Sequence, residues 1–276
     1  MANITAADVN KLRKQTGAGM MDCKKALVEN DGDFEKAIDY LRKKGQKVAA
    51  NRSDREAAEG VVLSKVNDSR TFGAVLMINC ETDFVAKNED FVKYSKDILD
   101  LAIANKAKTS DEVLALNFNG ILVKDSLIDQ IGKIGEKIEL GGYAVLEDAF
   151  ISFYIHPGNR IATLVALNKV VDGISEIGKD MAMQVAAMNP IAVNQNAVDQ
   201  ITIDRELEVF RDVIRQEGKA EDMVEKIALG KLNKFFKEST LLNQDFIKDS
   251  KQNVDSYLKS FDKGLTVNEF KRFALA

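Results

Sequence analysis

Phe72–Cys80 (FGAVLMINC) carries no charged side chain. An apolar run this short and this continuous reads as a buried strand. Val61–Val66 precedes it across the turn Asn67-Asp68-Ser69-Arg70, so the two segments form a pair of strands. A strand this apolar normally hands over to a turn rich in Gly or Asn. Here it hands over to Glu81–Phe91 (ETDFVAKNEDF), where Thr82-Asp83-Phe84-Val85 puts a carboxylate beside a large aromatic as the chain leaves the sheet. Two arrangements are open. Either the segment begins a helix with Phe84 packed inward, or Phe84 and Asp83 are presented. A presented Phe84 is a wedge, and a presented Asp83 is a charge that competes with phosphate or disturbs a metal shell. The second arrangement suits a protein that acts on another protein's site.

The flanking sequence places this element in an α+β fold. Met1–Gly45 reads as three short helices. Thr5 caps the first, with Val9 and Leu12 on one face and Gly17 and Gly19 at its end. The second runs from about Met21 to Asn30. Asp33 caps the third, whose positions Phe34, Ala37, Ile38 and Leu41 follow a helical period and which Gly45 closes. Residues 46–60 are polar and charged and read as a flexible linker, which makes the bundle a separate head. Residues 61–147 form a first core unit, with helices near Asp90–Asn105 and Val123–Ile134 and a strand near Glu136–Glu147. Residues 148–197 and 238–276 form a second. It contains strands Ala149–Ile155 and Arg160–Val171 around the turn His156-Pro157-Gly158-Asn159, a helix Gly173–Met188 and a last strand Glu269–Leu275. Strand pairs on short turns with helices between them imply antiparallel sheets. Residues 198–237 change character. Ile203, Leu207, Phe210 and Ile214, then Val224, Ile227, Ala228, Leu232 and Phe235, make two narrow apolar seams around Gly218, an inserted antiparallel helical hairpin of coiled-coil type.

Charge and chemistry exclude several classes. The chain has 276 residues with 39 basic and 43 acidic side chains, a formal net charge of −4, unlike a whole-chain nucleic-acid binder. Residues 1–55 hold twelve basic and eight acidic side chains, a weakly positive head. Cys23 and Cys80 are far apart in unlike settings, which fits neither a disulfide framework nor a zinc set, and both read as small core residues. The N-terminus lacks an apolar signal core and no run approaches a membrane span, so a cytosolic location is expected. Signals of enzymatic chemistry are nearly absent. Gly173–Asp180 (GISEIGKD) follows a phosphate loop up to its lysine, but Asp180 stands where a hydroxyl should reach Mg²⁺, so the segment reads as a helix start with incidental glycines. The sole histidine, His156, sits in a strand-connecting turn, where a solvated or locally hydrogen-bonded role is the ordinary one.

Thr16–Leu27 (TGAGMMDCKKAL), with Asp33 and Ala37-Ile38 behind it, resembles the N-terminal signature of the elongation factor Ts family. Asn79–Asn88 (NCETDFVAKN) resembles its second signature, and His156–Ala166 (HPGNRIATLVA) a third block. The inserted hairpin resembles the family's coiled-coil arm. The matches run in order along nearly the whole chain, and they favour presentation of Asp83 and Phe84. The resemblance implies a guanine-nucleotide exchange factor for elongation factor Tu, a GTPase, with no catalytic chemistry or cofactor of its own. It implies no direct nucleic-acid contact and no membrane. A homodimer and a 2:2 complex both remain open. The head is then a ubiquitin-associated-like bundle that docks on the partner's nucleotide domain through Arg13, Met20 and Met21. Thr82, Asp83, Phe84 and Val85 are the segment that intrudes near the partner's Mg²⁺, and His156 faces the partner. Some members continue past the last core strand into a helical tail, whereas this sequence stops at Ala276, which leaves contacts through such a tail unassigned. A rival reading is an adaptor whose head alone binds a ubiquitin-like or other protein; it makes Asp83 and Phe84 inert.

Overall fold

The computed structural model describes residues 4–275; Met1–Asn3 and Ala276, the outermost residues of the expected head and second core unit, lie outside them. The head is three helices. In α1 (Ala6–Thr16) Thr5 Oγ1 accepts the Asp8 N–H while the Asp8 carboxylate accepts the Thr5 N–H at 3.0 Å, and Gly17 closes the helix at φ 71°. Helices α2 (Met20–Glu29) and α3 (Phe34–Arg52) complete a small core of Val9, Leu12, Cys23, Ala26, Leu27 and Ala37.

Gly45 does not end α3. The helix continues through it to Arg52, so the first half of the stretch expected to be a flexible linker is helical. The reason lies across the molecule. Gly45 crosses Gly132 of a later helix so closely that a Cβ on Gly132 would lie 2.9 Å from the Gly45 Cα. Beyond the crossing, Val48 and Ala49 pack on the main core. Gly45 therefore serves close approach of two backbones rather than a left-handed cap. Gly132→Ala is expected to destabilise the protein by about 1 kcal/mol, with overpacking of about 1–3 kcal/mol partly offset by the helix-propensity gain of up to about 1 kcal/mol. Gly230→Ala, where a Cβ meets nothing within 4 Å, is expected to stabilise instead. Denaturant unfolding of the two variants measures the difference, and equal effects would contradict the role given to the crossing.

Strands β1 (Glu59–Val66) and β2 (Phe72–Cys80) pair antiparallel from Glu59 opposite Cys80 to Val66 opposite Gly73. Next come α4 (Asp83–Ala86), α5 (Glu89–Ala104), α6 (Ser110–Ala115), the short pair β3 (Asn117–Phe118) and β4 (Ile121–Leu122), and α7 (Val123–Ile134). Strand β5 (Glu139–Glu147) joins the far side of β2 with a bulge between Met77 and Ile78. In a second sheet β7 (Ile161–Leu167) lies between β6 (Phe150–Ile155) and the last strand of the chain, Val267–Ala274. Helix α8 (Ile174–Met188), the hairpin helices α9 (Gln200–Gln216) and α10 (Glu221–Ser239), strands β8 (Asp245–Phe246) and β9 (Asp249–Asn253), helix α11 (Val254–Phe261) and β10 (Val267–Ala274) finish the chain.

The apolar run in β2 is buried because the strand is covered on both faces. Phe72, Ala74, Leu76, Ile78 and Cys80 pack against α5 and α7, while Val75 faces Ile151, Leu164 and Ala166 of the second sheet. The other face of the second sheet packs on α8 and α11 through Val165, Leu167, Met181, Val185 and Leu258. The result is four layers, helix–sheet–sheet–helix, of α+β class with antiparallel sheets. Helices α9 and α10 satisfy each other through Ile214, Val224 and Ala228, with Arg211 gripping Glu225 in a two-pronged pair at 2.8 and 2.9 Å. Gly178 of the phosphate-loop imitation lies inside α8 against Ser152, and Asp180 is buried with Lys248 at 2.5 Å and the Tyr257 hydroxyl at 2.9 Å. That arrangement ties the C-terminal elements to α8 and presents no cradle of backbone N–H groups.

Candidate functional site

The segment after β2 turns sharply because Thr82 caps α4. Its Oγ1 accepts the Val85 N–H at 3.4 Å and donates to Glu136 Oε1 at 2.7 Å. The other oxygen of Glu136 accepts the N–H groups of Glu81 at 3.1 Å and Thr82 at 3.0 Å. Glu81 is held in turn. Its carboxylate takes Arg52 Nη1 at 2.9 Å from both oxygens and the Lys137 N–H at 2.6 Å. The Lys137 N–H first and Arg52 second hold the Glu81 carboxyl below its ordinary range. Beneath the turn, the Cys80 thiol donates to the Thr82 carbonyl at 3.2 Å, and burial, with Glu136 nearby, pushes its pKa up to about 12. Cys80 is a packed, protonated thiol, as is expected of a core cysteine, and Cys23 is likewise buried.

With the turn fixed, alternation decides what is presented. Val85 packs on the main core and Phe84 points away, 84% exposed, more than any other large apolar side chain among the described residues. The sequence left packing and presentation open for Phe84; the inward place is taken by Val85. Asp83 is also on the surface, and its carboxylate binds Lys87 Nζ at 2.6 Å. The Lys87 ammonium keeps the Asp83 carboxyl below its usual range, so it is ionised at neutral pH.

The head brings its own apolar surface. Met20 and Met21 at the start of α2 are 54% and 77% exposed, Val28 about two turns on is exposed with them, and Arg13 is exposed on α1. Gly17, between Arg13 and Met20, lines the same groove of about 570 Å³ as Phe84, Val85, Lys133 and Ile134. The head reaches this groove through Gly17, α7 lines it with Gln130, Lys133 and Ile134, and Arg13, Met20 and Met21 are not among its lining residues. His156 is not in that groove. It sits exposed in the β6–β7 turn with its Nδ1 3.2 Å from Tyr154 Oη. The carbonyl of Asn159 in the same turn accepts the Val62 N–H at 2.7 Å, so the turn is fastened to the middle of β1, where Val62 lies opposite Met77. Among the described residues no cluster of His, Cys, Asp and Glu is arranged to hold a metal ion. No helix among them is long and apolar enough to cross a membrane.

The anchors of the turn, Arg52, Glu136 and Lys137, are absent from the motifs read in the sequence. They stand 29 to 56 residues from the groups they hold, and nothing local to them signals the role.

A family profile described as elongation factor TS matches residues 81–276, which takes in the turn, strand β5, the second sheet and the hairpin. The relatives extend that match over the head. The elongation factor Ts of Flavobacterium psychrophilum is 58% identical over 275 residues, covering all of both chains. That of Porphyromonas gingivalis is 50% identical, covering 99% of this chain and 98% of its own, and that of Bacteroides fragilis is 44% identical with the same coverage. The chain belongs to the elongation factor Ts family. As in that family, its work is in the elongation phase of protein biosynthesis.

Proposed function

We propose that this chain binds elongation factor Tu·GDP in the cytoplasm and promotes release of GDP, so that GTP can bind, without covalent chemistry of its own. The observation that carries the reading is an aromatic side chain held 84% exposed on a turn pinned by two carboxylates and an arginine. A wedge must keep its direction under load, and a loop left to fluctuate would lose that on docking. Phe84 enters near the partner's Mg²⁺, and the Asp83 carboxylate beside it disturbs the metal's shell. Mg²⁺ neutralises phosphate charge, so a shifted ion loosens the nucleotide. Arg13, Met20 and Met21 dock the head on the partner's nucleotide domain, while His156 faces the partner from the β6–β7 turn. The factor holds the empty partner more tightly than the GDP-bound one, and by linkage GDP weakens the factor's binding by the same ratio that the factor weakens GDP's.

Asp83→Asn tests the charge part of this mechanism. The amide keeps shape and removes the negative charge. The maximal GDP release rate is expected to fall on the order of fivefold, the scale of an exposed charge contact. Rising Mg²⁺ is expected to slow the wild-type reaction more than the variant's. Release rates across a Mg²⁺ series decide it, and superimposable curves would leave a purely steric wedge.

A further inference from the structure

Phe84 makes so little contact with its own protein that packing cannot set its direction. That direction is set by the backbone from Glu81 to Val85. Every side-chain hydrogen bond made to the N–H groups of Glu81 and Thr82 comes from one residue, Glu136, in the loop between α7 and β5. The same carboxylate accepts a hydrogen bond from the Thr82 hydroxyl at 2.7 Å, which turns a lone pair of Oγ1 toward the Val85 N–H and so orients the cap. Capping alone needs only the threonine. The carboxylate adds three hydrogen bonds with a charged acceptor, a class stronger than neutral pairs.

The anchor also has a mechanical ancestry. Helices α3 and α7 cross at Gly45 and Gly132. Past the crossing, α3 ends at Arg52, which grips Glu81, and α7 runs through Gly135 into Glu136, which grips Thr82. Two helices that share one tight crossing thus hold adjacent residues of the turn.

We propose that Glu136 is a positioning residue for nucleotide exchange: it holds the Thr82–Val85 turn in the geometry in which Phe84 enters the partner, so that no ordering of the turn is required on docking. This rests on the reading of Phe84 as the intruding side chain. Glu136 acts through Phe84 and does not itself touch the partner's nucleotide or metal.

The test uses the full chain and GDP-loaded elongation factor Tu. Glu136→Ala is expected to lower the maximal GDP release rate roughly tenfold, while the half-saturating factor concentration moves by less than about twofold. Glu136→Gln keeps an acceptor oxygen for the two N–H groups and is expected to recover most of the rate. In a Phe84→Ala background, adding Glu136→Ala is expected to lower the rate by less than about twofold, because residues that act as one unit are not additive. Full maximal rate in Glu136→Ala, or the same tenfold loss in both backgrounds, would overturn the proposal. Should Glu136→Ala not fold, Thr82→Val removes the hydroxyl and keeps the shape, and the same two comparisons apply to it. If Phe84→Ala slows exchange and Glu136→Ala does not, only the positioning role falls; if Phe84→Ala exchanges at the wild-type rate, the wedge reading falls and this inference with it.

Discussion

Phe84→Ala is expected to slow maximal partner GDP release by about ten- to a hundredfold and to leave the melting temperature of the free factor unchanged. The first half follows from burial on docking. A phenylalanine taken fully from water contributes about 1.5–3 kcal/mol, and about 1.4 kcal/mol is tenfold in a rate or equilibrium. The second half follows from the free structure, where Phe84 is 84% exposed and its removal leaves no cavity. Loss of stability with normal exchange would mean that Phe84 packs in solution. Normal exchange with normal stability would favour the head-only adaptor, in which Phe84 does nothing.

Removal of residues 1–45 is expected to raise the factor concentration needed for half-maximal exchange by about a hundredfold or more. Met20 and Met21 leave with the head, and each contributes about 1.5–3 kcal/mol if buried in the complex. The maximal rate is expected to fall as well, though by less. The cut severs α3 and leaves Gln46–Arg52, a stub too short to stay helical on its own, so the Arg52 grip on Glu81 loosens. The double variant Met20→Ser, Met21→Ser separates the two effects, since it keeps α3 whole and is expected to change half-saturation alone. A truncated protein with full activity at low concentration would remove the head from the mechanism.

Where the sequence was readable, one local rule sufficed. The run Phe72–Cys80 lacks alternation because β2 is covered on both faces. Helix α7 keeps the expected bounds, Val123–Ile134, because its apolar face and the left-handed Gly135 at its end agree. Gly45 shows the limit. A glycine after an apolar helical stretch signals a stop or a close approach, and only Gly132, far along the chain, decides between them. Strand β9 (DSKQN) and helix α11 went unread because one is short and polar and the other, though Val254, Tyr257, Leu258 and Phe261 follow a helical period, is only two turns long. At the site, the residues that face outward were legible as a motif. The residues that hold them, Glu136 and Arg52, were not, because their partners are set by tertiary contact.

This chain is expected to speed GDP loss from elongation factor Tu. Fluorescent GDP preloaded on the partner, chased with excess unlabelled nucleotide, gives the release rate with and without the chain. The expected result is a rate that rises with factor concentration, saturates, and falls as Mg²⁺ is raised. A release rate that stays at the partner's intrinsic value at every concentration of a folded chain would contradict it.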